Sequence, residues 1–168
     1  MPASDQRVDP DEKYQFVARV LIFLTRGEEV LLIRWKPEKG AWSNLYNGLG
    51  GRVERGETAL QAAQREVHEE CGIQVDNLWL CAILVIDVGN SELGKLVFIF
   101  RGETKANPIS STEGKVEWVQ RNDVSTANAV EDLPILLPRL LDMKRGDPPI
   151  WGFYEYDKAG KLIIRFED

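Results

Sequence analysis

The run from Gly50 to Ile73, GGRVERGETALQAAQREVHEECGI, commits the chain to a loop, a helix and a second loop. Thr58 to Cys71 holds no Pro or Gly and is rich in Ala, Leu, Gln, Glu and Arg, so propensity favours a helix. Gly56 closes the loop before it, and Gly72 stands where a left-handed C-terminal cap is expected. At about 100° per residue, Leu60, Ala63, Val67 and Cys71 form one apolar stripe, expected to face a core. Glu66, Glu69 and Glu70 are spaced i, i+3 and i+4, which gathers their carboxylates on a neighbouring stripe.

Like charges at that spacing destabilise an isolated helix by a few tenths of a kcal/mol per pair. Arg65, four residues before Glu69, can orient it, but one guanidinium does not neutralise three acids. A hard divalent cation held by oxygen ligands is the natural partner, which points to Mg²⁺, with Mn²⁺ as a substitute. Gly48, Gly50 and Gly51 before the helix let a ligand approach the backbone closely. The alternative is a solvated acidic face on an amphipathic helix. The wider spacing weighs against it. From Gly51 the chain reads G-x5-E-x7-R-E-U-x-E-E-x-G-U, with U aliphatic, through Glu57, Arg65-Glu66, Glu69-Glu70, Gly72 and Ile73. Seven fixed residues and two aliphatics match at a given start with odds on the order of 10⁻⁹.

This segment, residues 51–73, resembles the Nudix box of the Nudix hydrolases, which cleave nucleoside diphosphates linked to another moiety. The resemblance implies an α/β fold, an α/β/α sandwich around a mixed sheet. It implies that Glu66, Glu69 and Glu70 hold catalytic metals, that Glu57 and Arg65 brace the loop and the carboxylates, and that the Gly51 carbonyl is a further ligand. Water would attack a phosphorus of a pyrophosphate. Glu66 is the first candidate for the base, and Glu113, in Ser-Ser-Thr-Glu-Gly, is the second base candidate and a candidate ligand; an ordinary loop acid is the alternative for Glu113.

A chain of 168 residues can bury one core without disulfides. Its net charge of −6 argues against polymeric nucleic acid or a membrane surface as partner, since both select basic patches. A small anionic nucleotide remains compatible, because bound metals would carry positive charge locally. Cys71 and Cys81 form no framework, so a reducing, cytoplasmic compartment is expected. His68, the sole histidine, falls on the polar side of the helix, which excludes His-based zinc chemistry as the main mechanism. Residues 1–13 read as a flexible N-terminal segment and 14–168 as one domain, monomeric or homodimeric, with neither a signal peptide nor a membrane span.

Strands are expected at Tyr14–Leu24 and Val30–Trp35, Leu78–Asp87 and Leu96–Glu103, Lys115–Val119, and in a terminal hairpin of Trp151–Tyr156 with Leu162–Phe166. Gln120 to Ala129 reads as a loop, and Leu133 to Lys144 as a second helix with a bend at Pro138.

Substrate choice rests outside the box. Asn47-Gly48-Leu49-Gly50-Gly51 resembles the MutT-like oxidised-purine nucleoside triphosphatases of 8-oxo-dGTP diphosphatase type, which would make Asn47 a base-binding residue. An amide offers donor and acceptor to a purine edge; a turn residue before Gly48 is the alternative. Trp118, Glu131-Asp132, Pro138 and Trp151-Gly152-Phe153-Tyr154 follow in the order of the vertebrate-type enzymes, and Asp132 falls where these place a base-reading carboxylate. Leu133 and Val130 stand where those enzymes carry a second Asp and a stacking Trp. Glu131 and Asp132 also suit a helix N-terminus electrostatically. Arg34 and Lys36, before the Gly-rich loop, are candidates for meeting phosphates; exposed basic residues at a strand end without function are the alternative. The marks of ADP-ribose and dinucleoside polyphosphate hydrolases after the box are absent from Ile83 to Asn90.

Overall fold

Alternation along the first two strands decides the layering. In β1 (Gln15–Arg26), Val20, Ile22 and Leu24 face one side of the sheet, while Leu21 and Phe23 face the other. In β2 (Glu29–Trp35), Leu31 and Ile33 join the first set and Val30 and Leu32 the second. A strand apolar on both faces must be covered twice. The box helix α1 (Ala59–Cys71) covers one face through Ala62, Ala63, Val67 and Cys71. The second helix α2 (Leu133–Asp142) covers the other through Leu133, Leu136, Leu137 and Leu140. The expected α/β/α sandwich is the result. This computed structural model describes residues 14–89, 92–110, 112–124 and 128–167. The expectations for residues 1–13 and for the turn at Asn90-Ser91 lie outside the described residues.

The remaining strands are β3 (Tyr46–Asn47), β4 (Trp79–Asp87), β5 (Leu93–Glu103), β6 (Gly114–Gln120), β7 (Ile150–Tyr156) and β8 (Leu162–Glu167). Among the described residues they form a mixed sheet in the order β3-β2-β1-β5-β4-β7-β8, with β6 paired to β2. β1 runs parallel to β5 and β4 parallel to β7; the other pairs are antiparallel. β2 pairs with β1 only near their hairpin, then with β3. The chain from Leu49 to Arg52 leaves β2 and bridges the freed edge of β1 at Ile22 and Arg19. That divergence opens the place where the box sits.

Several strand ends shift by one to three residues from the sequence reading, the largest being the start of β5 at Leu93 and not Leu96, and four further details differ. Leu60 is 42% exposed, because the buried arc of α1 is centred on Ala63 and Glu70 and Leu60 lies at its margin in the first turn. The segment Gln120–Ala129 is not all loop: Arg121–Asp123 forms a 3-10 turn, and Ala129 bridges Tyr46. A 3-10 helix, Pro37–Trp42, and the two-residue β3 also went unread. α2 ends at Asp142 and not Lys144, with Arg101 Nη1 donating to the carbonyls of Leu140 and Met143 and satisfying the helix end. Both cysteines are free and buried, and burial pushes their thiols up, Cys71 to about 11 and Cys81 to about 12. No helix among the described residues is long and apolar enough to cross a membrane.

Candidate active site

α1 is built to hold its acids still. Thr58 caps it, its hydroxyl accepting from Gln61 N while the Gln61 side chain accepts from Thr58 N, and Gly72 closes it in the left-handed conformation at φ 70°. Arg65 then ties the box together. Its Nε and Nη2 donate to the two Glu57 oxygens at 3.1 and 2.8 Å, Nη2 to the Arg52 carbonyl at 3.0 Å, and Nη1 to Glu66 at 2.9 Å and Glu69 at 3.0 Å. Glu57 turns back to accept from Glu54 N at 2.7 Å. Hydrogen bonds from Arg65 hold the Glu57 carboxyl below the usual carboxylate range. These contacts tie Glu57, Glu66, Glu69 and the Arg52 carbonyl to one guanidinium.

The three helix acids occupy different environments. Glu69 is exposed, Glu66 half-buried, and Glu70 only 3% exposed, its Oε2 accepting from Gly50 N at 2.8 Å. Burial pushes the Glu66 carboxyl up, and the charges of Glu69 and Glu113 add to this against the pull of Arg65. The charge of Glu113 is therefore brought to the box across the gap between β6 and α1, and its carbonyl also accepts from Lys36 N. Gly51 lies directly under Glu66: a Cβ there would run into the Glu66 carboxylate. The Gly51 carbonyl accepts from Val20 N at 3.0 Å, which leaves its second lone pair for a ligand.

Among the described residues no three Asp, Glu, His or Cys side chains converge on one point as they stand, since Arg65 gathers Glu66 and Glu69 while Glu70 turns to Gly50. The donor set still suits a hard divalent cation. It is all oxygen, it has an excess of acid over Arg65, and the missing side chain of Gly51 leaves room against Glu66.

Outside the box, the Asp132 carboxyl stands at the start of α2 without capping it. Burial pushes it above the ordinary carboxylate range and the charge of Glu131 adds to that, while its own backbone amide and the Tyr154 hydroxyl pull the other way. The Tyr154 hydroxyl lies beside Asp132 but short of full hydrogen-bond geometry. Asn47 comes to the same region by backbone pairing: Val130 N donates to Tyr46 O and Tyr46 N to Asn128 O. Asn47 Oδ1 accepts from Gly48 N at 2.8 Å, as a turn residue would, with its amide nitrogen left to donate. Glu131 and Lys36 are exposed. Arg34 lies 3.7 Å from Glu117 and over the Tyr46 ring, in a cluster that also takes in Lys115.

The residues from Tyr14 to Leu140 match the NUDIX domain family model. The chain belongs to the Nudix family. This Nudix pyrophosphohydrolase is 32% identical over 145 residues to the oxidized purine nucleoside triphosphate hydrolase of Danio rerio, covering 85% of this chain and 88% of that one. It is 44% identical to the NAD-capped RNA hydrolase NudC of Haemophilus influenzae over 59 residues, 35% of this chain and 22% of that enzyme. Among solved structures, a MutT protein from Bacillus halodurans superposes with a TM-score of 0.77 at 22% identity, over 90% of this chain and 98% of that one. That likeness shows the fold.

Three cations near the box of this Nudix enzyme went unread in the sequence. Arg19 bridges Arg52 and feels the charge of Glu66, and Lys95 lies next to Arg19. A signal was available: each of Arg19 and Lys95 is a lone charge inside an apolar strand run, FVARVLIFL and LGKLVFIF.

Proposed function

We propose that the chain is a Mg²⁺-dependent hydrolase of purine or oxidised-purine nucleoside triphosphates, releasing the monophosphate and pyrophosphate, and that Mn²⁺ can replace Mg²⁺. The Asp132 carboxyl carries the purine part of this reading. Burial favours its protonated form, which presents an O–H donor beside a carbonyl acceptor, and the backbone carrying Asn47 is paired to the same segment. Donor and acceptor together match a purine edge. The extended similarity to the zebrafish oxidized purine enzyme supports the same substrate class.

Glu66, Glu69 and Glu70, with the Gly51 carbonyl and Glu113, are the residues that would hold divalent cations. Such ions, when bound, neutralise phosphate oxygens and make a bound water more acidic. The chain's own part is positioning. Arg65 fixes Glu57, Glu66 and Glu69 in one frame on a capped helix, and phosphoryl transfer depends mainly on such positioning. Glu66, the half-buried carboxylate whose proton affinity is raised, is the first candidate to take the proton from water, and Glu113 the second. The two buried thiols suit a reducing compartment such as the cytoplasm.

The partial match to the NAD-capped RNA hydrolase favours, as a second reading, another nucleoside diphosphate derivative such as ADP-ribose or a dinucleotide. A panel of canonical and oxidised nucleotides, ADP-ribose and dinucleotides, assayed for phosphate products with Mg²⁺ and with chelator, separates them. Triphosphate turnover that chelator abolishes is the expected result. A preference for ADP-ribose sinks the substrate assignment. No turnover of any compound leaves a non-catalytic nucleotide sensor, and turnover undiminished in Glu69→Gln/Glu70→Gln sinks the assignment of catalysis to the box carboxylates.

A further inference from the structure

The sheet face that carries α2 holds a row of side chains leading from Asp132 towards Glu66. Residues paired across a ladder share a face of the sheet. Ile86 on β4 is the register partner of Tyr154 on β7 and of Lys95 on β5, and Lys95 is the partner of Val17 on β1. Arg19 stands two residues beyond Val17 on the same face and bridges Arg52. With neighbouring strands about 4.8 Å apart, Lys95 lies roughly two strands from Tyr154 and one from Arg19. Tyr154 marks the Asp132 end of the row, and Arg19, within reach of the Glu66 charge, marks the other.

Both cations are partly buried, and among the described residues neither side chain has a hydrogen-bonding or ion-pairing partner. Burial depresses the Arg19 guanidinium, Arg52 depresses it further and Glu66 opposes; burial and then Arg19 depress the Lys95 ammonium. An unpaired, partly desolvated cation costs stability. Side by side, among the described residues they leave positive charge that the fold offsets only through Glu66 and that an anion from outside can meet.

We propose that Arg19 and Lys95 form a seat for the phosphate chain of the substrate, between the Asp132 carboxyl that reads the base and the box carboxylates. The order of the row matches the order of a nucleotide: base at Asp132 and Tyr154, phosphates over Lys95 and Arg19, scissile bond at Glu66. The seat selects a triphosphate over a diphosphate, since each added phosphate oxygen meets a charge-assisted donor. This assignment rests on the reading of Asp132 given above.

The test is the double variant Arg19→Gln/Lys95→Gln, with inorganic tripolyphosphate as probe, titrated calorimetrically in the presence of chelator. The variant is expected to weaken tripolyphosphate binding by about tenfold or more, with a melting temperature equal to or above the parent's because two unpaired charges are gone. In turnover it is expected to raise KM for a triphosphate far more than it lowers kcat, and to lose the preference over the diphosphate. A change in affinity below about twofold, a lowered melting temperature, or no tripolyphosphate binding by the parent overturns the proposal. A parent that hydrolyses no nucleotide, yet loses tripolyphosphate affinity on substitution, removes the enzymatic reading and leaves the phosphate seat standing.

Discussion

Gly50 and Gly51 are neighbours with different reasons for lacking a side chain. Gly50 has φ 148°, and a Cβ there would run into the Val20 carbonyl, a backbone atom that cannot move aside. Gly50→Ala is therefore expected to destabilise the fold by about 2 to 4 kcal/mol, read from denaturant melts. At Gly51 the obstacle is the Glu66 carboxylate, the end of a flexible side chain. Gly51→Ala is expected to keep most of its stability and lose about 10- to 100-fold in kcat, and equal destabilisation by both substitutions would refute the distinction. Arg65→Lys tests the brace. A lysine cannot serve two Glu57 oxygens, Glu66, Glu69 and the Arg52 carbonyl at once, so kcat is expected to fall about 10- to 100-fold. Unchanged kcat would show that the guanidinium fork is dispensable. At this scale spacing alone exposed the box, because Glu69 and Glu70 stand three and four residues after Glu66 and Glu57 and Arg65 keep their places before it. Arg19, Lys95 and the burial of Glu70 escaped it, since what surrounds them comes from strands and loops remote in sequence.

α1 shows why an element can be read well and its faces less well. Its propensity and both ends were visible in the sequence, and Gly72 caps it as expected. The face it buries was set by how the helix lies on β1 and β2. That placement put Glu70 inside and left Leu60 at the margin, against the simple apolar stripe. Because the caps are local, their contribution separates from chemistry. Thr58→Ala removes the acceptor for Gln61 N and is expected to cost about 1 kcal/mol of stability. Turnover per folded molecule should stay near the parent's, and a large kcat loss at full folding would mean that the cap also sets the carboxylate geometry. α2 was placed correctly at its start, but its end depends on Arg101 from β5, a partner that no local pattern names.

For the whole molecule, the mixed sheet follows from strands that are apolar on both faces, whereas the order of the strands does not. The central parallel pair joins Arg19 to Val97 and Val17 to Lys95, and it is this pairing that lays out the row from Tyr154 to Arg19. The same architecture holds Asp132 partly buried at the start of α2 beside Tyr154 of β7, which gives stability a pH dependence of known sign. The folded-state pKa of Asp132 is raised above its ordinary 3.8, so the folded protein holds that proton more tightly than the unfolded chain. Its stabilising share is fully present below pH 3.8 and is lost as pH rises through the raised folded value. Glu117 runs the other way. Burial raises it, but Lys115, Tyr46 and Arg34 more than offset that, so its contribution is lost as pH falls below its ordinary 4.5. Comparing Asp132→Asn with the parent at each pH cancels the Glu117 contribution and isolates Asp132. The melting temperature of the variant minus that of the parent is expected to grow as pH rises above 3.8 and to level off once pH has passed the raised folded value. A difference that is flat across that range would mean that the carboxyl ionises in the folded protein as freely as in the unfolded chain. The neutral donor assigned to purine recognition would then be absent at neutral pH.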